Sequence, residues 1–244
     1  MAMRTMAAVL ALLLLFAIGA ASAEQRSAKP CPPGGDATRP GIQRLNESKS
    51  RVDEPSDEDI DDTVTMDAIV SPGDDRLRWE DGQACEITAY VIEVRDGGMA
   101  SSNCHSPDPA IHDTILELIP DPNVLDRAHR VVAVITPQWR KTMATDRVDW
   151  STRAIRAKYT HQWVTISGWL LFNFEAASKA INTTPLPGVD IARATAWEIH
   201  PVTSIELEED VLDEEAVLTP LDPDLSRGGR AAAYARSKAR ISAP

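Results

Sequence analysis

Five histidines with no H-x-x-x-H pair, and three cysteines with no C-x-x-C pair, leave the chain without a compact metal motif. A serine-nucleophile elbow is missing as well: ISGW around Ser167 is not G-x-S-x-G, and no strand–turn–helix pattern surrounds it. DGG at 96–98 reads as a turn, with no phosphate-binding loop beside it. Cations are scarce, with 25 Lys and Arg against 37 Asp and Glu and a formal net charge of −12. That balance argues against nucleic acid as the partner. A local stripe of Arg127, Arg130, Arg140, Lys141, Arg147, Arg153, Arg156 and Lys158 works partly the other way. Beyond the first 23 residues no apolar run is long enough to span a bilayer. No cofactor is expected from this inventory.

What is present begins with MAMRTMAAVLALLLLFAIGAASAEQ: one cation at Arg4, an apolar run, then small residues ending Ala21-Ser22-Ala23. This is the layout of a secretory signal peptide over residues 1–23, which predicts an exported protein, periplasmic or extracellular. Export places Cys31, Cys85 and Cys104 in an oxidising compartment, where an odd count leaves one thiol free or intermolecular. Cys85 and Cys104 could bridge if the loop between them folds back to bring their Cα atoms within about 7 Å. The alternative is a buried Cys85 thiol; Cys31, in the linker, is the expected free sulfur.

Composition divides the rest. Residues 24–64 hold KPCPPGGDATRPG and DEPSDEDIDD, too polar and too rich in Pro and Gly to offset chain ordering, and read as a disordered linker. Residues 209–244 are acidic, then broken by Pro and Gly, then basic, and read as a mostly disordered tail. Between them, 65–208 is one domain of common size.

Within that domain, GQACEITAYVIEVR alternates apolar and polar residues and then changes phase, which predicts a strand with a bulge near Val91. DTILELI and HRVVAVIT follow as strands two and three, and WSTRAIRAKYT as a helix capped by Ser151 or Thr152. QWVTISGWLLFNF puts Val164, Ile166, Leu170 and Phe172 on one face, and Gly168 allows tight coiling. RATAWEIHPVTSIEL is the fifth strand, with Trp197 and Ile199 inward, Glu198 and His200 outward, and Pro201 ending pairing or marking a bulge. The prediction is therefore all-β with a small α contribution: a five-stranded, OB-like Greek-key barrel with one helix between strands three and four. A sandwich of other topology is the alternative.

The stretches SSNCHSPDP…HDTILEL, VVAVITPQWR, WVTISGWLLF and NTTP…RATAWEIHPVTSIEL resemble a group of small exported bacterial proteins with an OB-like domain and no assigned activity. The resemblance covers about residues 85–207, its most recognisable part being WEIHPVT. It implies fold and export only. Where other members carry a second cysteine near NCH, this chain has Ser102. In a bacterial chain, the glycosylation sequons at Asn46 and Asn182 are chance matches.

The candidate chemistry is a loose set. His112, Asp113, Glu198 and His200, with Glu117 nearby, are residue types suited to acid–base work, and His105, His112 and His200 are metal-ligand candidates. Glu198 and His200, two apart on a strand, share a face, and the structural alternative is a solvent-facing polar row. Trp139, Arg140, Trp163 and Trp169 are candidates for ligand binding, against the alternative that most of these tryptophans fill core or cover barrel ends. The expected function is a non-enzymatic, exported binding or interaction module for a glycan, a peptide or an envelope protein. The competing readings are a metal-dependent hydrolase or nuclease using the His/Asp/Glu set, and an oligonucleotide-binding barrel.

Overall fold

The alternation of GQACEITAYVIEVR builds the longest strand, β1 (Ala84–Asp96), in a computed structural model that describes residues 30–208. Its register against the next strand slips between Val91 and Glu93, the bulge that the phase change predicted. β2 (Thr114–Ile119) and β3 (Val131–Ile135) follow, antiparallel to one another. β4 (Trp163–Phe172) and β5 (Trp197–Leu207) complete the sheet. The strands close into a barrel in the order β1-β2-β3-β5-β4, with β1 also paired to β4 and β3 parallel to β5. A five-stranded closed barrel of this order is compatible with the OB-like arrangement.

Inward residues form one core. Ile87, Ala89, Leu116, Leu118, Ala133, Val164, Ile166, Trp197 and Ile199 are all 3% exposed or less. Closure brings β4 and β5 close together at Gly168, where a Cβ would sit 2.4 Å from the Pro201 carbonyl oxygen. Only glycine fits there, and the β4–β5 register breaks on either side of it.

One helix was expected between β3 and β4; there are two. Thr136 caps α3 (Pro137–Thr145) by accepting from the Trp139 amide at 3.2 Å, with Pro137 in the first turn. Ser151 caps α4 (Thr152–Tyr159) in the same way through Ala154. Both helices feed the core, with Trp139, Trp150, Ile155 and Tyr159 buried against it. The Tyr159 hydroxyl donates to the Ile205 carbonyl at 3.0 Å, and the Arg156 Nε to the Val94 carbonyl at 2.8 Å.

The linker reading of 24–64 fails from Pro33 onward. α1 (Pro40–Lys49) buries Ile42 and Leu45, and Val64 joins the barrel core. A short helix, α2 (Met66–Val70), adds Met66 and Ile69 to that core. The physical reason is that this polar segment has partners outside itself. Asn46 donates to Gly34 and Ser101, Ile60 bridges to Ala84, and the Trp169 indole donates to the Asp53 carbonyl at 2.8 Å. Above the same indole the Arg51 guanidinium stacks at 3.1 Å from the ring centroid. The signal-peptide reading of 1–23 and the tail reading of 209–244 lie outside the described residues.

The disulfide expectation also changes. Cys31 and Cys104 are the disulfide-bonded cysteines, and Cys85 is free and fully buried. Cys85 faces the core near one end of the β1–β4 ladder, opposite Gly168, with its side chain packed in the core away from the loop that carries Cys104. Burial, with Asp61 and Glu86 adding to it, pushes its thiol up to about 12, which leaves it unreactive.

Candidate functional site

β5 is buried on both faces for most of its length, and this overturns the expected solvent-facing polar row. Trp197 and Ile199 do point into the barrel, but Glu198 and His200 on the outer face are each only 3% exposed. The Glu198 Oε1 accepts from Asn173 Nδ2 at 2.9 Å and from the Arg193 guanidinium. The Oε2 of Glu198 accepts from His200 Nδ1 at 3.1 Å. Burial alone would raise the Glu198 pKa. The charge of Arg193, the hydrogen bond and charge of His200, and the charge of Lys49 outweigh it and hold the carboxyl well below its ordinary range. An ionised Glu198 can only accept, so His200 carries a proton on Nδ1. The Nε2 of His200 is buried without a hydrogen-bond partner.

Asp113, at the foot of β2, belongs to the same neighbourhood. Burial raises its pKa; His200, Lys49 and Arg140 pull it back, and Glu198 pushes it up. The structure thus brings together three of the sequence candidates, Asp113, Glu198 and His200, and adds Lys49, Arg193 and Asn173, which sequence reading missed. Lys49 had no visible signal because α1 was read as linker. Arg193 and Asn173 sit in the loop before β5 and at the end of β4, where nothing in spacing marks them as partners of Glu198.

His112 stands apart from this group. Its Nδ1 meets Asp96 Oδ1 at 2.7 Å and its Nε2 meets the Ser106 carbonyl oxygen at 2.7 Å. Both partners are acceptors, so the ring is a doubly donating imidazolium that ties the β1–β2 loop together, and the Ser106 and Asp96 contacts raise its pKa. Glu117 is taken by Arg95 at 3.2 Å and Arg130 at 2.5 Å. His105 is exposed and paired with Asp36 at 2.9 Å. The three proposed metal histidines are therefore separately engaged, and among the described residues no group of three or more His, Cys, Asp or Glu is placed to hold a metal ion.

The ligand-binding candidates divide similarly. Trp139 is 4% exposed in the core and Trp169 is 3% exposed beneath Arg51. Arg140 donates to Thr114 Oγ1 at 2.8 Å and to the carbonyls of Ala110 and His112, so it holds the β1–β2 loop. Burial lowers its pKa and Asp113 and Asp96 offset the effect. Of the three tryptophans, Trp163 alone is only half-buried, with its ring edge-on to Tyr90 at 5.8 Å. Both sequon asparagines are buried and hydrogen-bonded, Asn46 to Ser101 and Asn182 to Ser71.

No protein-family model matches the chain, and no curated protein or solved structure matches it.

Proposed function

We propose that the chain is an exported, non-catalytic binding or interaction module on an OB-like barrel, its partner a glycan, a peptide or an envelope protein. The observation that carries this reading is the state of Glu198 and His200. They are sealed at 3% exposure and bonded to one another, to Arg193 and to Asn173, in an arrangement that stabilises the barrel wall. A general base must reach a substrate proton directly or through one water, and a hydrolytic metal needs about three protein ligands with an open position. Glu198 is spent on intramolecular contacts instead, and His200 is closed off from solvent beside it. Export is supported by the leader-like start, by the resemblance to small exported bacterial proteins, and by the disulfide-bonded state of Cys31 and Cys104.

Elemental analysis of the purified chain, with melting curves with and without a chelator, tests this. The expected result is no stoichiometric zinc and no chelator effect. Stoichiometric zinc, with a melting temperature that falls on chelation, would favour the metal-dependent hydrolase instead.

A further inference from the structure

Among the described residues, the outer face of β1 and β4 is a part of the barrel wall that stays open to solvent. Register places Tyr90 opposite Trp163, Thr88 opposite Thr165, and Glu86 opposite Ser167, all on this face and all exposed or half-buried. The next row, at Trp169, is where Arg51 and Asp53 cover the sheet. The face is therefore bounded at one end by the docked segment and at the other by the turn from α4 into β4.

The rings at that turn are fixed. Tyr90 and Trp163 meet edge to face at 5.8 Å and 71°. His161 lies nearly parallel to Tyr90, at 13° and 6.4 Å. The backbone of His161 takes φ 62°, a left-handed conformation that a non-glycine residue adopts at some cost, and its amide donates to the Val91 carbonyl at 2.8 Å. Beside the rings runs a polar row already arranged for hydrogen bonding. Thr88 and Thr165 hydroxyls are 3.1 Å apart, Thr165 donates to Glu208 at 2.7 Å, and Ser167 donates to Glu86 at 2.8 Å.

Aromatic side chains with an apolar body and a polar tip, held rigid at a surface, are the usual anchors of recognition sites. Successive same-face rows on a strand are about 6.8 Å apart, comparable to one sugar residue. Sugar rings offer C–H faces to aromatic rings and hydroxyls around the rim to acceptors and donors. The charges complement that chemistry and exclude a polyanion: the face carries Glu86 and Glu208 and no Lys or Arg among these residues. Each carboxylate is oriented by a hydroxyl donor, so it presents directed lone pairs.

We infer that this face binds a neutral oligosaccharide, one sugar stacking on the Tyr90–Trp163 rings and the next bonding to the Thr88–Thr165 row. The inference rests on the binding-module reading and names its ligand class and its site.

The test titrates the intact purified chain with cellohexaose, maltohexaose and hexa-N-acetylchitohexaose, reading the Trp163 indole N–H by NMR and affinity by calorimetry. At least one sugar should shift that resonance. Trp163→Ala and Tyr90→Ala should each weaken binding about tenfold or more, while Trp163→Phe, which keeps a ring, retains most of it. Affinity should change less than about twofold between about 50 and about 500 mM NaCl, since no ion pair is involved. The inference is overturned if none of the three sugars moves the Trp163 signal, or if a lysine-rich peptide binds these rings in a salt-sensitive way instead. A sugar that binds Trp163→Ala as well as wild type would also refute this face, yet leave the binding-module reading standing. That reading falls separately, to stoichiometric zinc in the same preparation.

Discussion

Replacing Glu198 by Gln removes one charge from the barrel wall and leaves shape almost unchanged. The consequence follows from what the carboxylate holds. Arg193, with a side chain 14% exposed, and His200, 3% exposed, both direct protons at it, and Asn173 adds a third donor. A Gln amide supplies one acceptor oxygen in place of two and turns a second donor toward groups that already donate. Breaking a buried ion pair from one side costs about 3–5 kcal/mol, because the remaining charge stays desolvated. At about 2–4 °C per kcal/mol for a chain of this size, the melting temperature should fall by roughly 6–20 °C. The pH dependence gives an independent check. The folded Glu198 pKa lies below its ordinary value of 4.5, so its contribution is complete above that value and is lost as pH falls through the folded pKa. The gap between wild type and Glu198→Gln should therefore be widest near neutrality and narrow as pH drops below 4.5. Urea unfolding followed by tryptophan fluorescence at a series of pH values measures both. A loss under about 1 kcal/mol, with a gap constant in pH, would refute the buried-pair argument, because that is how an exposed pair behaves.

Four further perturbations have defined outcomes. Trp197→Ala removes the largest fully buried side chain and the 2.7 Å indole bond to the Asp75 carbonyl, and should cost about 3–5 kcal/mol in chemical denaturation. Gly168→Ala places a methyl against backbone atoms of β5 and should cost about 1–3 kcal/mol or more; an unchanged melting temperature would show that β4 and β5 can part there freely. Asp113→Asn should raise the melting temperature at pH 7. Its raised pKa means that the charged form is disfavoured in the fold, so the advantage should shrink as pH falls through the folded value toward 3.8. Arg51→Ala should cost about 0.5–2 kcal/mol and expose the 33–64 segment to limited proteolysis; cleavage no faster than in wild type would mean that the Trp169 contact does not hold that segment.

Strand order and core were legible because period-two alternation reports directly on which residues face a barrel interior. Ile87, Ala89, Val164, Ile166 and Ile199 are buried as their spacing required. α3 was legible too, and missed: Thr136-Pro137 is a cap followed by a first-turn proline, but the segment TPQWRKTMAT has a single strong apolar anchor, Trp139. The segment from 33 to 64 was not legible from composition. Composition counts apolar residues, and this stretch is held by few of them. Ile42, Leu45 and Val64 are buried, while the rest of its attachment is polar and long-range, from Asn46 to Ser101 and from Asp53 to Trp169.

The same long-range polar bonding explains the misreading of WEIHP. Alternation placed Glu198 and His200 correctly on the face opposite Trp197, but alternation reports which face a side chain takes, and says nothing of what covers that face. An outer face of a barrel is solvent-exposed by default; here Lys49 and Arg193 approach it from segments that lie, in sequence, on either side of the first four strands. A polar pair on a covered face must be satisfied internally or it would destabilise the fold. Glu198 is satisfied by three donors, the observation on which the proposed non-catalytic reading rests. Tyr90 and Trp163 are the inverse case. Their aromatic surface would favour burial, yet among the described residues they remain half-buried on a stretch of barrel wall next to the one that Arg51 and Asp53 cover. An apolar ring left half-exposed where neighbouring faces have been covered marks a surface kept open for something else.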